Sequence, residues 1–83
     1  MKLQVLYFAS LREVLGASEA VEMPADSTVG ELRDVLLALG GHHAQVLARG
    51  RAVRVALNQS LCDESAVLND GAEVAFFPPV TGG

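Results

Sequence analysis

The sequence predicts an α+β domain in which one helix lies across one face of a mixed β-sheet. Three observations carry that expectation. Residues 2–9 and 73–77, near the two ends of the chain, alternate in the manner of strands. Between them, residues 28–39 place apolar side chains at helical spacing behind a capping signal. No internal repeat, low-complexity stretch or composition shift divides the 83 residues, so one small domain is expected.

Residues 2–9 (KLQVLYFA) are rich in apolar and aromatic types and read as the first strand. Alternation puts Leu3, Val5 and Tyr7 inward. Lys2, Gln4, Leu6 and Phe8 take the other face, which begins polar and turns apolar. Ser10 with Glu13 three residues on fits a capping box, predicting a short helix from Leu11 that Gly16 stops in a left-handed conformation. Residues 18–23 read as a second strand with Val21 and Met23 inward, ended by Pro24. So short a connection favours antiparallel pairing with the first.

Thr28 and Glu31 form a second capping box and open the main helix. Val29, Leu32, Val35, Leu36 and Leu39 are expected to face the core, leaving Glu31, Arg33 and Asp34 to water, and Gly40-Gly41 to end the helix. Residues 42–50 read as about one helical turn over Val46 and Leu47. Residues 52–57 alternate again, with Val53, Val55 and Leu57 inward and Arg54 and Ala56 outward. Asn58-Gln59-Ser60 is a turn, Leu61-Cys62 a minor strand, and Asn69-Asp70-Gly71 a strong turn signal. The last strand turns Val74 and Phe76 inward and Ala75 and Phe77 outward.

This order places the first and last strands side by side and parallel at the centre, joined by a crossover that includes the helix. That is the β-grasp, or ubiquitin-like, architecture, expected over residues 1–80 with a flexible Gly-Gly tail at 81–83. Leu6, Phe8, Ala75 and Phe77 then share the sheet face opposite the helix, with Arg12 close by. An exposed apolar cluster of this kind marks a protein partner, and Arg with Phe is typical of interface anchors.

Composition narrows the function classes. A net charge of −4 offers no footprint for nucleic acid. No apolar run approaches the roughly 20 residues of a membrane span. One cysteine, Cys62, cannot form an internal disulfide and no signal-peptide pattern opens the sequence, so a cytoplasmic setting is expected. Cys62, His42 and His43 are too few and too poorly spaced for a metal site. Ser10, Ser27 and Thr28 read as caps, the acidic residues form no catalytic pair, and no phosphate-binding glycine loop is present. The side chains offer no active site.

What remains is the tail. A strand that meets Pro78-Pro79 cannot continue its ladder, because proline has no N–H to donate. Val80, Thr81, Gly82 and Gly83 should therefore project, reaching at most roughly 14 Å. A frayed end would explain them equally simply. The sharper reading makes the α-carboxylate of Gly83 the reacting group, on a glycine stem thin enough to enter another protein's narrow site. A free carboxylate is a poor acyl donor, but coupling to AMP supplies a leaving group. Attack by sulfur then yields a terminal thiocarboxylate, a strong nucleophile as its thiolate.

The sequence resembles the family of molybdopterin synthase small subunits over essentially its whole length. The matching residues are Tyr7-Phe8-Ala9, Arg12-Glu13, Thr28-Val29, residues 55–59 (VALNQ) and, most specifically, residues 68–83 (LNDGAEVAFFPPVTGG). The resemblance implies a β-grasp fold and a heterotetramer with the synthase large subunit, whose active site receives the tail. Thr81 and Gly82 would thread that site. The thiocarboxylate on Gly83 would donate sulfur to cyclic pyranopterin monophosphate, building the dithiolene of molybdopterin. It further implies a ubiquitin-activating-like enzyme that uses ATP to adenylate Gly83, with no cofactor held by this chain. Phe8, Arg12, Leu61, Phe77, Pro78 and Val80 are expected at the partner interface. The rivals are a sulfur carrier for thiazole synthesis or tRNA thiolation, a ubiquitin-like modifier of lysines, and a binding module with an inert tail.

Overall fold

Strands β1 (Lys2–Tyr7) and β5 (Glu73–Phe77) pair in parallel at the middle of a mixed sheet, Gln4 opposite Glu73 and Tyr7 opposite Phe76. The computed structural model describes residues 1–79; Val80, Thr81, Gly82 and Gly83, and the expected boundary between domain and tail, lie outside them. β2 (Ser18–Glu22) runs antiparallel to the outer side of β1. β3 (Arg54–Leu57) runs antiparallel to β5, and β4 (Ser60–Cys62) antiparallel to β3. Among the described residues the order is thus β2-β1-β5-β3-β4. The β3–β4 turn is made by Asn58 and Gln59, both at positive φ (48° and 71°), the backbone of a type I′ hairpin.

Among the described residues three helices connect the strands: α1 (Ala9–Leu15), α2 (Val29–Ala38) and α3 (Gly41–Leu47). The core between sheet and helices contains Leu3, Val5, Tyr7, Leu32, Leu36, Leu47, Val74 and Phe76, each at most 1% exposed. Alternation therefore gave the inward faces of β1 and β5 correctly. The α2 capping box forms as expected, with Glu31 N–H donating to Thr28 Oγ1 (3.2 Å) and Thr28 N–H to Glu31 Oε1 (2.9 Å).

Three local expectations need correction. No capping box forms at Ser10. Phe8 is still extended and its N–H donates to the Phe76 carbonyl (3.1 Å), so the ladder holds Phe8 as the N-cap and Ser10 falls inside the first turn. The chain reaches that turn through Ala9 at φ 52°. Gly16 does stop α1 at a positive φ of 90°, but with ψ 179°, a conformation outside the left-handed helical well.

The second correction concerns the buried stripe of α2. Val35 and Leu39 are 41% and 60% exposed, whereas Arg33, expected in water, is 6% exposed. Its guanidinium donates from Nε to Leu47 O (2.7 Å), and from its two terminal nitrogens to Ala48 O and Glu64 Oε2 (3.0 Å each). Arg33 thus serves the orphan carbonyls at the end of α3 and pins the segment after β4. Third, α3 has seven residues, about two turns rather than one, with Leu47 fully buried.

Candidate functional site

The parallel register of β1 and β5 brings the expected partner residues together. Leu6 lies opposite Ala75, and Ala75 opposite Ala56, which faces Leu61 on β4. Paired residues point to the same side of a sheet, so Leu6, Ala75, Ala56 and Leu61 form an apolar row across four strands, although Ala75, expected to be exposed, is buried (7% exposed) on the central strand. The next row toward the end of β5 holds Phe8, Phe77 and Arg54, since Phe77 pairs with Arg54 and Phe8 continues the β1–β5 ladder. The row before them is polar, with Gln4 opposite Glu73. The apolar part of this face is therefore confined to the end of the sheet at which β5 enters Pro78-Pro79.

Each described residue expected at the interface can be placed. Phe8 is 45% exposed at the corner between β1 and α1, and Leu61, at 67%, tops the edge strand β4. Phe77 and Pro78 are half-buried at the exit of β5. Arg12 is exposed one turn into α1, its backbone N–H donating to the Phe8 carbonyl. Val80, Thr81, Gly82 and Gly83 lie outside the described residues. Sequence reasoning turned Arg54 and Ala56 outward but did not group them with this face. Their alternation was legible; the missing signal was strand order, which alone makes β3 the neighbour of β5.

Beside the tail root, an open groove of about 600 Å³ runs between α1, α3 and residues 51–53. Leu11, Val14, Val46 and Val53 give it apolar walls, and Arg51 and Pro78 also line it.

On the helix side, Tyr7 is held by a polar pair. Its hydroxyl donates to Glu19 Oε2 (2.7 Å), which also meets His43 Nε2 at 2.7 Å. Tyr7 stacks on Phe76 (centroids 6.3 Å apart) and meets His43 edge-on. Burial, then the Glu19 hydrogen bond and charge, push the Tyr7 pKa far up, so the phenol stays neutral. Desolvation pushes the Glu19 carboxyl up, but the hydrogen bonds from His43 and Tyr7 together outweigh it and hold it below the ordinary value of 4.5. The cluster ties β1, β2 and α3 together behind the tail root. It has the character of a brace.

Burial, and then the nearby Asp63 carboxylate, push the Cys62 thiol pKa up, opposite to what a nucleophilic thiol needs. No group of three or more His, Cys, Asp and Glu side chains gathers as metal ligands among the described residues. No helix among them is long and apolar enough to cross a membrane. The exposed apolar side chains Phe8 and Leu61 thus lie toward the end of the sheet at which β5 runs into Pro78-Pro79.

The chain is similar to known proteins along nearly its whole length. The model of the ThiS family matches residues 5–83. The molybdopterin synthase sulfur carrier subunit of Escherichia coli is 45% identical over 82 residues, covering 98% of this chain and 99% of that one. Among solved structures, SAMP1, a small archaeal modifier protein of Haloferax volcanii, superposes with a TM-score of 0.80 at 28% identity, each chain fully covered. A chain from the complex of subunits 1 and 2 of the Helicobacter pylori molybdopterin-converting factor gives 0.72 at 25% identity, again with both chains fully covered.

Proposed function

We propose that this chain, which belongs to the ThiS family, is the sulfur-carrier subunit of a molybdopterin synthase, with the carboxylate of Gly83 as its working group. The observation that carries the reading is the end-to-end match to a sulfur carrier subunit at 45% identity. The confinement of the apolar face to the tail end of the sheet supports it, because a partner seated there receives whatever the tail delivers.

The domain's own side chains bind and position; the acyl chemistry belongs to the terminus. A ubiquitin-activating-like enzyme uses ATP to adenylate Gly83, with loss of pyrophosphate. A sulfur nucleophile attacks the acyl carbon and AMP leaves, giving the thiocarboxylate. Phe8, Phe77, Leu61 and Pro78, with Arg12 and Arg54 at the rim, dock the large subunit, as anchor residues with a polar surround do. Thr81 and Gly82 thread its site, and Gly83 gives sulfur to cyclic pyranopterin monophosphate there. The assembly acts as a sulfurtransferase in molybdenum cofactor biosynthesis.

The test is the intact mass of the chain after incubation with ATP, the adenylating enzyme and a sulfur source. Replacement of one oxygen by sulfur is expected; an unchanged mass would contradict the reading. The superposition on SAMP1 favours a second reading, a modifier joined to lysines of other proteins. That reading gives amide adducts on other proteins in cell extract.

A further inference from the structure

An acyl-adenylate reacts with any amine or thiol that reaches it, and the nearest candidates belong to the same chain. If an amine of the domain attacked the Gly83 acyl carbon, AMP would leave with the electrons of the anhydride bond. The nitrogen would lose a proton, and a stable amide would close the chain into a ring. A carrier closed in that way could never be reloaded.

The distribution of nucleophiles opposes this outcome. Lys2 is the sole lysine; the other five basic residues are Arg12, Arg33, Arg49, Arg51 and Arg54. Guanidinium groups keep their proton and do not act as nucleophiles at neutral pH. Lys2 heads β1, its N–H donating to Asp70 Oδ1 (2.7 Å) and its carbonyl accepting from Gly71 N–H (2.7 Å). The α-amino group of Met1 is next to it and donates to the Met23 carbonyl (2.7 Å).

Because β1 and β5 are parallel, both amines lie at the pole where β5 begins, and Pro78-Pro79 lies at the other. From Lys2 to the level of Tyr7 and Phe76 is about 17 Å at roughly 3.3 Å per residue, and Pro79 follows three residues later. The four residues after Pro79 reach at most roughly 14 Å. That reach is shorter than β1 itself, so the tail cannot by itself bring the carboxylate back to either amine. The one thiol, Cys62, pairs with Val55 two strands from Phe76, but it is half-buried and its raised pKa keeps thiolate scarce. Meanwhile Arg12, Arg51 and Arg54 lie toward the tail pole, supplying positive charge without an amine.

We propose that this segregation, arginine at the tail pole and both amines at the opposite one, keeps the activated carboxylate from closing as a stable amide onto its own domain, so that an amide forms only with an external amine. The inference rests on the activation of Gly83 proposed above. Arg51→Lys tests it, since Arg51 is exposed and lines the same groove as Pro78. A lysine there meets the tethered carboxylate at an effective concentration on the order of millimolar. Wild-type and variant chains are incubated with ATP and the adenylating enzyme, without a sulfur source, and followed by pyrophosphate release and intact mass.

The expected result is pyrophosphate release from both. Wild type should retain the adenylate or return to its own mass. The variant should accumulate a species one water lighter, with a hydroxylamine-resistant link between Gly83 and residue 51. Wild type closing onto Lys2 or Met1 would overturn the proposal, as would a variant that releases pyrophosphate yet never closes. Pyrophosphate from neither chain would overturn the activation of Gly83 itself, and the segregation argument with it.

Discussion

Replacing Phe77 with aspartate tests whether the far face of the sheet is where the large subunit binds. Phe77 ends β5, half-buried, paired with Arg54 and next to exposed Phe8. An aromatic side chain removes about 150–250 Å² from water when fully buried, and no more than about a third of Phe77 is still exposed, so up to roughly 80 Å² remains for a partner to cover. At about 25 cal/mol per Å² that is ~2 kcal/mol of binding. A carboxylate left under the partner adds about 1–3 kcal/mol of desolvation, reduced where Arg54 pairs with it. The sum, about 3 kcal/mol, predicts a Kd weaker by roughly a hundredfold. Calorimetric titration of the large subunit with wild-type and Phe77→Asp chains measures it, with thermal unfolding of the variant as the folding control. Phe77→Leu should stay within about 1.5 kcal/mol, as a size-tolerant apolar exchange does. A folded Phe77→Asp chain that binds within threefold of wild type would show that the face is wrongly assigned.

Three further outcomes follow from the same structure. Arg33→Met should lower stability by about 3 kcal/mol, because Leu47 O and Ala48 O lose their donor in a buried setting; urea unfolding followed by circular dichroism reads this, and a loss below about 1 kcal/mol would refute it. Glu19 has a folded pKa depressed below 4.5, so its contribution is present above that value and is lost as pH falls through the folded pKa. Glu19→Gln should therefore flatten the fall in unfolding temperature below about pH 4.5, and an identical acid profile would show the Tyr7–Glu19–His43 brace to be unimportant. Gly82→Val should suppress sulfur delivery in a reconstituted synthase by more than about tenfold, since a branched side chain widens a stem that glycine keeps thin; normal turnover would refute the threading of the tail.

How much was legible in the sequence depended on the range of the interaction. Period-two alternation placed Leu3, Val5, Tyr7, Val74 and Phe76 in the core because burial on one face of a strand is a local pattern. The Thr28–Glu31 cap was legible because both partners lie within four residues. Ser10 and Glu13 carry the same motif, but the Phe8–Phe76 ladder bond, 68 residues apart in sequence, fixes where α1 starts and overrides it. Arg33 read as a solvent residue since its acceptors Leu47, Ala48 and Glu64 are 14 to 31 positions away. Val35 and Leu39 share the helical period, yet period alone does not say which edge of the stripe a neighbour covers. The apolar end of the sheet opposite the helices followed the same rule: Leu6, Phe8, Ala75 and Phe77 were placed on it by alternation, while Arg54 and Ala56 needed the order of the strands.

In the proposed function the chemistry belongs to the terminus and the recognition to the sheet. The most direct test is sulfur transfer to cyclic pyranopterin monophosphate by the large subunit reconstituted with a chain lacking only Gly83. The predicted result is no dithiolene formed, while affinity for the large subunit stays within a few fold of wild type. Turnover at the wild-type rate from the shortened chain would contradict the claim outright.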